Sequence, residues 1–375
     1  MRLLLLALLL SPSARADNAG TTAGQVLQVP LGSRALGMGG AFTPVASDLS
    51  ALYYNPAGLS RLDAQQLALT FMTGLTDNNM QQAAYGAPLP WTGFSGSGYS
   101  TLAGSLLFSQ NGTIEVNQTN SDGSFKSSSN RSAGGDFVAQ LGYAERVGTS
   151  VLPLSGDRQY SLEHFLGVSG KYIHSTLIDA HASSFTGDLG YLLSSPDTGL
   201  SLGLSALNVG GSLKYRDYSD PLPTTLRGGL AYQTDLSGQR LTLALDSDYL
   251  VHEKIVHVNT GLEYLWMRTF AARLGYQFLQ DTLGVTAGFG LRWRDRIQLD
   301  YAWAMSSGLA DQHRVTLTFL FGAVAPAERA RERAPVIERV PEHVPVQSLE
   351  DKVPQAEPAR PRPAPESRSV PGWIY

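Results

Sequence analysis

From residue 64 to 321 the chain reads as about fourteen runs of roughly ten residues, each alternating in polarity and separated by turn residues. Successive side chains in a strand point to opposite faces, so alternation sets an apolar face against a polar one. Leu226, Gly228, Leu230 and Tyr232 fall on one side of such a run, and Arg227, Gly229, Ala231 and Gln233 on the other. Val256, Val258, Leu262, Tyr264 and Trp266 likewise alternate with His257, Asn259, Gly261 and Glu263. Leu283, Val285, Ala287, Phe289, Leu291 and Trp293 alternate with Gly284, Thr286, Gly288, Gly290 and Arg292. One run is weak evidence, but the series predicts an all-β fold: a 14-stranded antiparallel transmembrane β-barrel with lipid outside and a polar lumen inside.

The expected strand centres are 69, 85, 104, 141, 169, 189, 204, 230, 245, 261, 273, 288, 300 and 317. Tyr249, Tyr264, Trp266, Tyr276, Trp293, Tyr301 and Trp303 stand near strand ends, where aromatic girdles belong. With a periplasmic N-terminus, the polar stretches 110–133 and 209–223 become long outer loops. Ser194 to Thr198, Asp235 to Gln239, Met267 to Arg268 and Arg294 to Arg296 become short inner turns.

Composition agrees with this. Charged residues are 16% of the 375, well below the ~25% of soluble domains, while Gly (39) and Tyr (16) are plentiful. A net charge of -4 with no basic face gives no reason to expect nucleic acid. Zero cysteines exclude disulfides, thiolate metal sites and a lipoprotein anchor.

Both ends of the chain depart from the pattern. Arg2, the apolar run Leu3 to Leu10 and Ala14-Arg15-Ala16 read as a secretory signal peptide, residues 1–16, with the mature chain beginning near Asp17. Pro326, Pro335, Pro341, Pro345, Pro354, Pro358, Pro361, Pro363, Pro365 and Pro371 supply half of the 20 prolines, interleaved with Arg and Glu. Residues 323–375 are therefore expected to be a disordered Pro-rich tail in the periplasm, with a reach on the order of 150 Å. The last strand, His313 to Phe321, puts Val315, Leu317, Phe319 and Phe321 on the lipid face. This aromatic-ended strand resembles the signal read by the outer-membrane barrel assembly machinery, an expected partner together with outer-membrane lipid.

Residues 31 to 62, LGSRALGMGGAFTPVASDLSALYYNPAGLSRL, do not alternate. Gly37, Gly39 and Gly40 permit tight turns or close approach to a strand. Asp48 sits in a short acidic loop, and Asn55-Pro56-Ala57-Gly58 opens with a turn-forming pair. In this order, directly before alternating strands, these residues resemble the FadL-like outer-membrane barrels, most closely their PorV-type branch. TGDLGYLL at 186–193, LGLSALNVGG at 202–211 and DPLPTTLRGGLAY at 220–232 extend the resemblance along the barrel. It implies that residues 17–62 form a plug inside a barrel at 63–322, with Asn55, Pro56 and Ala57 in the hatch whose movement opens a path for hydrophobic ligands. The Ser/Asn-rich stretch NGTIEVNQTNSDGSFKSSSNRS departs from the apolar outer groove of FadL itself, which argues against fatty-acid uptake.

No G-x-S-x-G elbow, P-loop, H-E-x-x-H or EF-hand loop occurs, and His164, His174, His181, His252, His257, His313 and His343 lack ligand spacing. The expectation is a non-enzyme without a metal or other cofactor. Lys171, Asp188, Arg227, Asp246, Asp248, Glu263, Arg273, Arg292, Asp300 and Arg314 fall in lumen phase. Five acidic and five basic groups can pair across the interior, which makes burying them tolerable. They are expected to hold the cross-section or to anchor the plug. Two functions fit: a gated passive conduit or binding barrel for hydrophobic or amphiphilic small molecules, and a PorV-like accessory barrel that receives exported cargo in a type IX-like secretion system. A structural barrel tethered through its tail is a third. Outer-membrane localisation with both termini periplasmic is expected in each case.

Overall fold

The computed structural model describes residues 21–29, 31–73, 78–91, 93–96, 100–153, 159–279, 283–306 and 310–322, all within one compact unit. The expected signal peptide, the start of the mature chain and the Pro-rich tail lie outside the described residues. Fourteen antiparallel strands close a barrel: β1 Gln65–Thr73, β2 Asn79–Pro88, β3 Ser100–Gln110, β4 Gly134–Pro153, β5 Gln159–Leu177, β6 Ala180–Ser194, β7 Leu200–Val209, β8 Thr225–Leu236, β9 Gln239–Leu250, β10 Ile255–Trp266, β11 Phe270–Phe278, β12 Leu283–Trp293, β13 Ile297–Ser306 and β14 Gln312–Phe321. Each pairs with its sequence neighbour, and β1 closes on β14 in the register Gln65↔Phe321 to Thr73↔His313. Every expected strand centre falls inside its strand.

Closure satisfies the backbone polar groups within the wall, which is what hydrocarbon demands of a spanning sheet. The outward face is apolar, with Leu141, Leu189, Leu230, Leu274 and Phe289 all exposed. Aromatic pairs ring the two ends. Tyr85 stacks on Phe321 at 6.2 Å and Trp266 meets Phe270 at 5.7 Å near one rim. Phe108 meets Phe137 at 5.0 Å and Tyr276 meets Phe278 at 4.4 Å near the other. The alternation read from sequence is thus that of a membrane-spanning wall.

The two rims differ. At the turn rim, where β1 begins and β14 ends, Ser237-Gly238, Met267-Arg268 and Arg294-Asp295 take left-handed φ, as tight hairpins between right-twisted strands require. Two features there are longer than the expected short inner turns: the β2 to β3 connection, and the continuation of β4 and β5 past the rim, where Gly148↔His164 through Pro153↔Gln159 stay paired.

At the opposite, hairpin rim, the two stretches expected to be loops are ribbons. Thr113–Thr119 pairs with Phe125–Ser132, exposed throughout except at the half-buried Val116. Ser212–Tyr215 pairs with Tyr218–Pro221, with Leu213 buried. On the first ribbon only Ile114, Val116 and Phe125 are apolar and the rest is rich in Ser and Asn, so the hydrophobic pattern is too short to set it apart from a loop.

The described residues before β1 lie inside the barrel. They comprise a 3-10 turn Gln25–Gln28, helix α1 Ser33–Gly37, helix α2 Ala51–Tyr54 and a 3-10 turn Pro56–Arg61. The segment spans the lumen lengthwise: Thr22 and Gln28 bond Glu253 and Ala23 N–H donates to Pro221 O at the hairpin rim, while Leu62 leads into β1 at the turn rim.

Candidate functional site: the plugged lumen

The plug is held by two unlike surfaces. Towards β1–β6 the contact is apolar. Leu49, Leu52, Leu59 and Leu62 of the plug belong to one buried cluster with Ala68, Met72, Met80, Ala103, Leu107 and Val138 of the wall. Towards β8–β14 it is chiefly charged, although Leu36 packs on Ala302 and Ala304 there and Ala231 and Ala244 join the apolar cluster. Arg34 donates Nε and Nη2 to the two oxygens of Glu263, each at 2.8 Å, and Nη1 to Asp48 at 3.2 Å. Glu263 also accepts from Arg273 Nε at 2.7 Å, and Arg273 Nη1 reaches Asp300 at 2.7 Å. A two-point Arg–carboxylate pair fixes direction as well as distance.

Asp246 accepts the Phe42 and Thr43 N–H groups at 2.9 and 2.7 Å, so a wall carboxylate caps the plug backbone. Arg227 lies 5.2 and 4.9 Å from the ring centres of Tyr53 and Tyr54 and 3.5 Å from Asp248. Burial, outweighing the nearby Arg227, pushes the Tyr53 phenol up to about 12 and raises Tyr54 as well. Both rings therefore present neutral hydroxyls.

The Asn-Pro-Ala-Gly segment is a built turn. Asn55 Oδ1 accepts Ala57 N–H at 3.1 Å, and Asn55 Nδ2 donates to Thr43 O within the plug and to Tyr191 O on β6, at 3.1 and 3.0 Å. Pro56 starts the 3-10 turn, Ala57 packs on Phe165 and Leu192, and Gly58 lies against Ala46 so closely that a Cβ would fall 2.6 Å from its carbonyl oxygen. Gly37 O accepts Thr286 Oγ1 at 3.4 Å. Gly39, at φ 67°, lies where a Cβ would sit 2.7 Å from Thr260 O, which glycine alone permits. Gly40 follows with φ 82°.

All ten charges read as lumen-facing do face inward, but they are not one network. Lys171 bonds Asp188 at 2.9 Å and Asn208 at 2.7 Å, and Asp188 also accepts from Gln140, whose amide holds Leu52 O of the plug at 2.7 Å. Arg292 bonds Gln298 at 3.2 Å, and Gln298 bonds Asp300. Neither Arg292 nor Arg314 forms an ion pair with a carboxylate among the described residues, and of the two only Arg314 is fully buried. Between the plug and the turn rim lies a polar cavity of about 740 Å³, bordered by Arg34, Asp48, Arg61, Arg240, Arg292 and Thr318. Val315, Leu317, Phe319 and Phe321 alternate on the outward face of β14, opposite the inward Arg314 and Thr316.

Arg34 was not among the expected site residues, although it is one of only three charges between residues 17 and 60, with Asp17 and Asp48. That isolation was the available signal. The wall glycines that admit the plug were also missed. A Cβ on Gly167 would lie 2.3 Å from Pro56 C, and one on Gly190 2.2 Å from Asn55 Oδ1. On the outward face, Ser150 Oγ lies 2.7 Å from His164 Nε2, whose Nδ1 lies 2.8 Å from Tyr191 OH. The third member there is a phenol rather than a carboxylate, and Ser150 is exposed. Among the described residues no cluster of His, Cys, Asp or Glu could hold a metal.

A closed fourteen-stranded wall, apolar outside and filled by its own N-terminal segment, defines a membrane-spanning β-barrel of the outer-membrane type. No model of a known protein family matches the chain, and no curated relative matches it. Solved structures similar to it include a FadL homologue from Pseudomonas aeruginosa, at 9% identity and TM-score 0.43, over 77% of this chain and 98% of that one. Outer membrane protein Omp33 of Acinetobacter baumannii follows at 6% and 0.37, over 69% and 98%. Outer membrane phospholipase A from Escherichia coli is similar at 13% and 0.31, over 70% and 91%. Omp33 and the phospholipase are outer-membrane proteins by description.

Proposed function

We propose that this barrel is a non-enzymatic conduit for hydrophobic or amphiphilic small molecules, gated by the plug, with the hairpin rim outside the cell and the turn rim facing the periplasm. The observation that carries this reading is the divided lumen. The plug leans on an apolar sector through contacts that another apolar body could replace, and on a charged sector through contacts that define one resting position. A molecule with an apolar body and a polar end matches both sectors. The cavity of about 740 Å³ on the turn-rim side supplies a polar space for exit.

The deciding experiment deletes Gly32 to Gly58 and compares single-channel conductance in planar bilayers, with heat-modifiable gel migration confirming a folded barrel. Higher conductance, together with an apolar molecule in the lipid-extracted mass spectrum of the intact protein, supports the conduit. Unchanged conductance in a folded deletion removes its mechanism. A second reading, a PorV-like accessory barrel that receives exported proteins, is favoured by the exposed polar ribbon Thr113–Ser132. A barrel that carries no apolar molecule and co-purifies with exported proteins through that ribbon would reverse the order.

A further inference from the structure

The plug ends in the 3-10 turn Pro56–Arg61, which packs along β5 and β6 towards the turn rim. Asn55 bonds Tyr191 O, and Ala57 packs on Phe165 and Leu192. Arg61, the last residue of the turn, borders the polar cavity of about 740 Å³ together with Glu163, Ser194 and Ser195. Glu163 and Ser194 are partners in register, so the turn delivers Arg61 to the end of β6.

No carboxylate is left there to neutralise it. Asp48, Glu263 and Asp300 on the cavity wall are bound by Arg34 and Arg273, Glu163 by Arg146 at 3.2 Å, and Asp235 by Arg240 at 3.5 Å. Asp63, which is exposed, is the one other carboxylate bordering the cavity. Among the described residues neither Asp63 nor Arg61, Arg268 or Arg292 enters an ion pair, so three guanidinia stand against one carboxylate. Burial, and then the charges of Arg34 and Arg240, lower the Arg61 guanidinium from its ordinary range, with Glu163 opposing them. An arginine keeps its proton even so, and a bound anion relieves the cost of holding that charge. Ser195 is buried, and its hydroxyl has no hydrogen-bond partner among the described residues.

We infer that Arg61, Ser195 and Arg240 form a binding site for a phosphate-type oxyanion, either free phosphate or the phosphate end of an amphiphile, in the cavity facing the turn rim. A guanidinium fork presents paired donors to such an oxyanion, and the serine hydroxyl adds a donor from another direction. Arg240, on β9, is available because its contact with Asp235 is long and both side chains are half or more exposed. Arg61 belongs to the plug and Arg240 to the wall, so the anion engages both at once. The inference rests on the conduit reading only for the route by which the ligand arrives.

The test titrates the intact detergent-purified barrel by calorimetry with inorganic phosphate and with lysophosphatidic acid, beside R61M, R240M and S195A. Heat-modifiable gel migration confirms that each variant is folded. R61M should weaken binding by about 10- to 100-fold, the worth of a hydrogen bond to a charged group, and S195A by about 3-fold. R240M should weaken it as well, and it carries the test if R61M does not fold. Binding of both ligands with this dependence would mean that the site reads the phosphate group alone. Binding of lysophosphatidic acid only, with the same dependence, would assign the site to a lipid headgroup. No binding of either ligand, or binding that survives both R61M and R240M, would overturn the site. The conduit reading stands or falls separately, on the conductance of the Gly32 to Gly58 deletion, which retains Arg61, Ser195 and Arg240.

Discussion

The two sectors of the lumen hold the same plug by different physics. On β1–β6 the wall offers methyl and thioether groups, and the plug answers with leucines. Such contacts depend on area and fit but little on direction. On β8–β14 the wall offers carboxylates and guanidinia, and the plug answers with Arg34 and the N–H groups of Phe42 and Thr43. Those contacts are satisfied in one geometry only. The apolar sector therefore supplies adhesion and the charged sector supplies position. Lys171 and Asp188 fit the distinction although they sit in the apolar half, because they neutralise one another and orient the plug only through Gln140.

The sharpest way to break this comparison is to remove Glu263, the carboxylate shared by Arg34 and Arg273. E263Q should cost about 3 kcal/mol of stability, because it takes a partner from the buried Arg273 and leaves the partly exposed Arg34 with Asp48 alone. It should also raise bilayer conductance as the plug loses its position. R34M combined with E263Q should recover much of the stability but not the closed conductance, measurable as a double-mutant cycle. Additive losses in melting temperature would mean that the pair is not coupled.

L52A, in the apolar sector, should cost about 2–5 kcal/mol through the cavity it leaves. Conductance should stay at the native level, because the ion pairs still define where the plug rests. A leak as large as that of E263Q would erase the distinction between adhesion and position.

G190V brings a side chain into the space of Asn55 and Pro56. Overpacking of this kind costs about 1–3 kcal/mol, and it should appear as flickering openings in single-channel records, because the Asn55 turn shifts while Arg34 holds. Quiet, native-like records would place the seat of the gate elsewhere.

F321D tests the wall rather than the plug and should have the smallest direct energetic effect. A charge near the interface costs only about 0–1 kcal/mol in lipid. A strong loss of inserted protein in membrane fractions would therefore point to recognition of the last strand by the assembly machinery, whereas normal insertion would remove that role from Phe321.

The barrel was legible in the sequence because its cause is local and repeated. Each strand needs only a two-residue alternation, and that alternation located all fourteen strands and the inward phase of all ten charges. Rim geometry was legible where turns are tight, and not where the strands β4 and β5 run on past the rim, since nothing in their pattern changes there. The plug was visible as an interruption of the alternation bearing glycines and Asn55-Pro56.

Its partners were not visible. Arg34 lies 229 residues from Glu263, and Asp246 lies 204 from Phe42. Such contacts are set by how the closed wall brings distant strands around one short segment. For the same reason lumen-phase glycines such as Gly167 and Gly190 read as neutral members of a strand, yet they are the seats of the plug. Periodicity can tell that a charge points inward but not which charge it will meet. Arg314 shows the difference: the sequence places it in the lumen, and only closure of β14 onto β1 around the plug leaves it there without a counter-charge among the described residues.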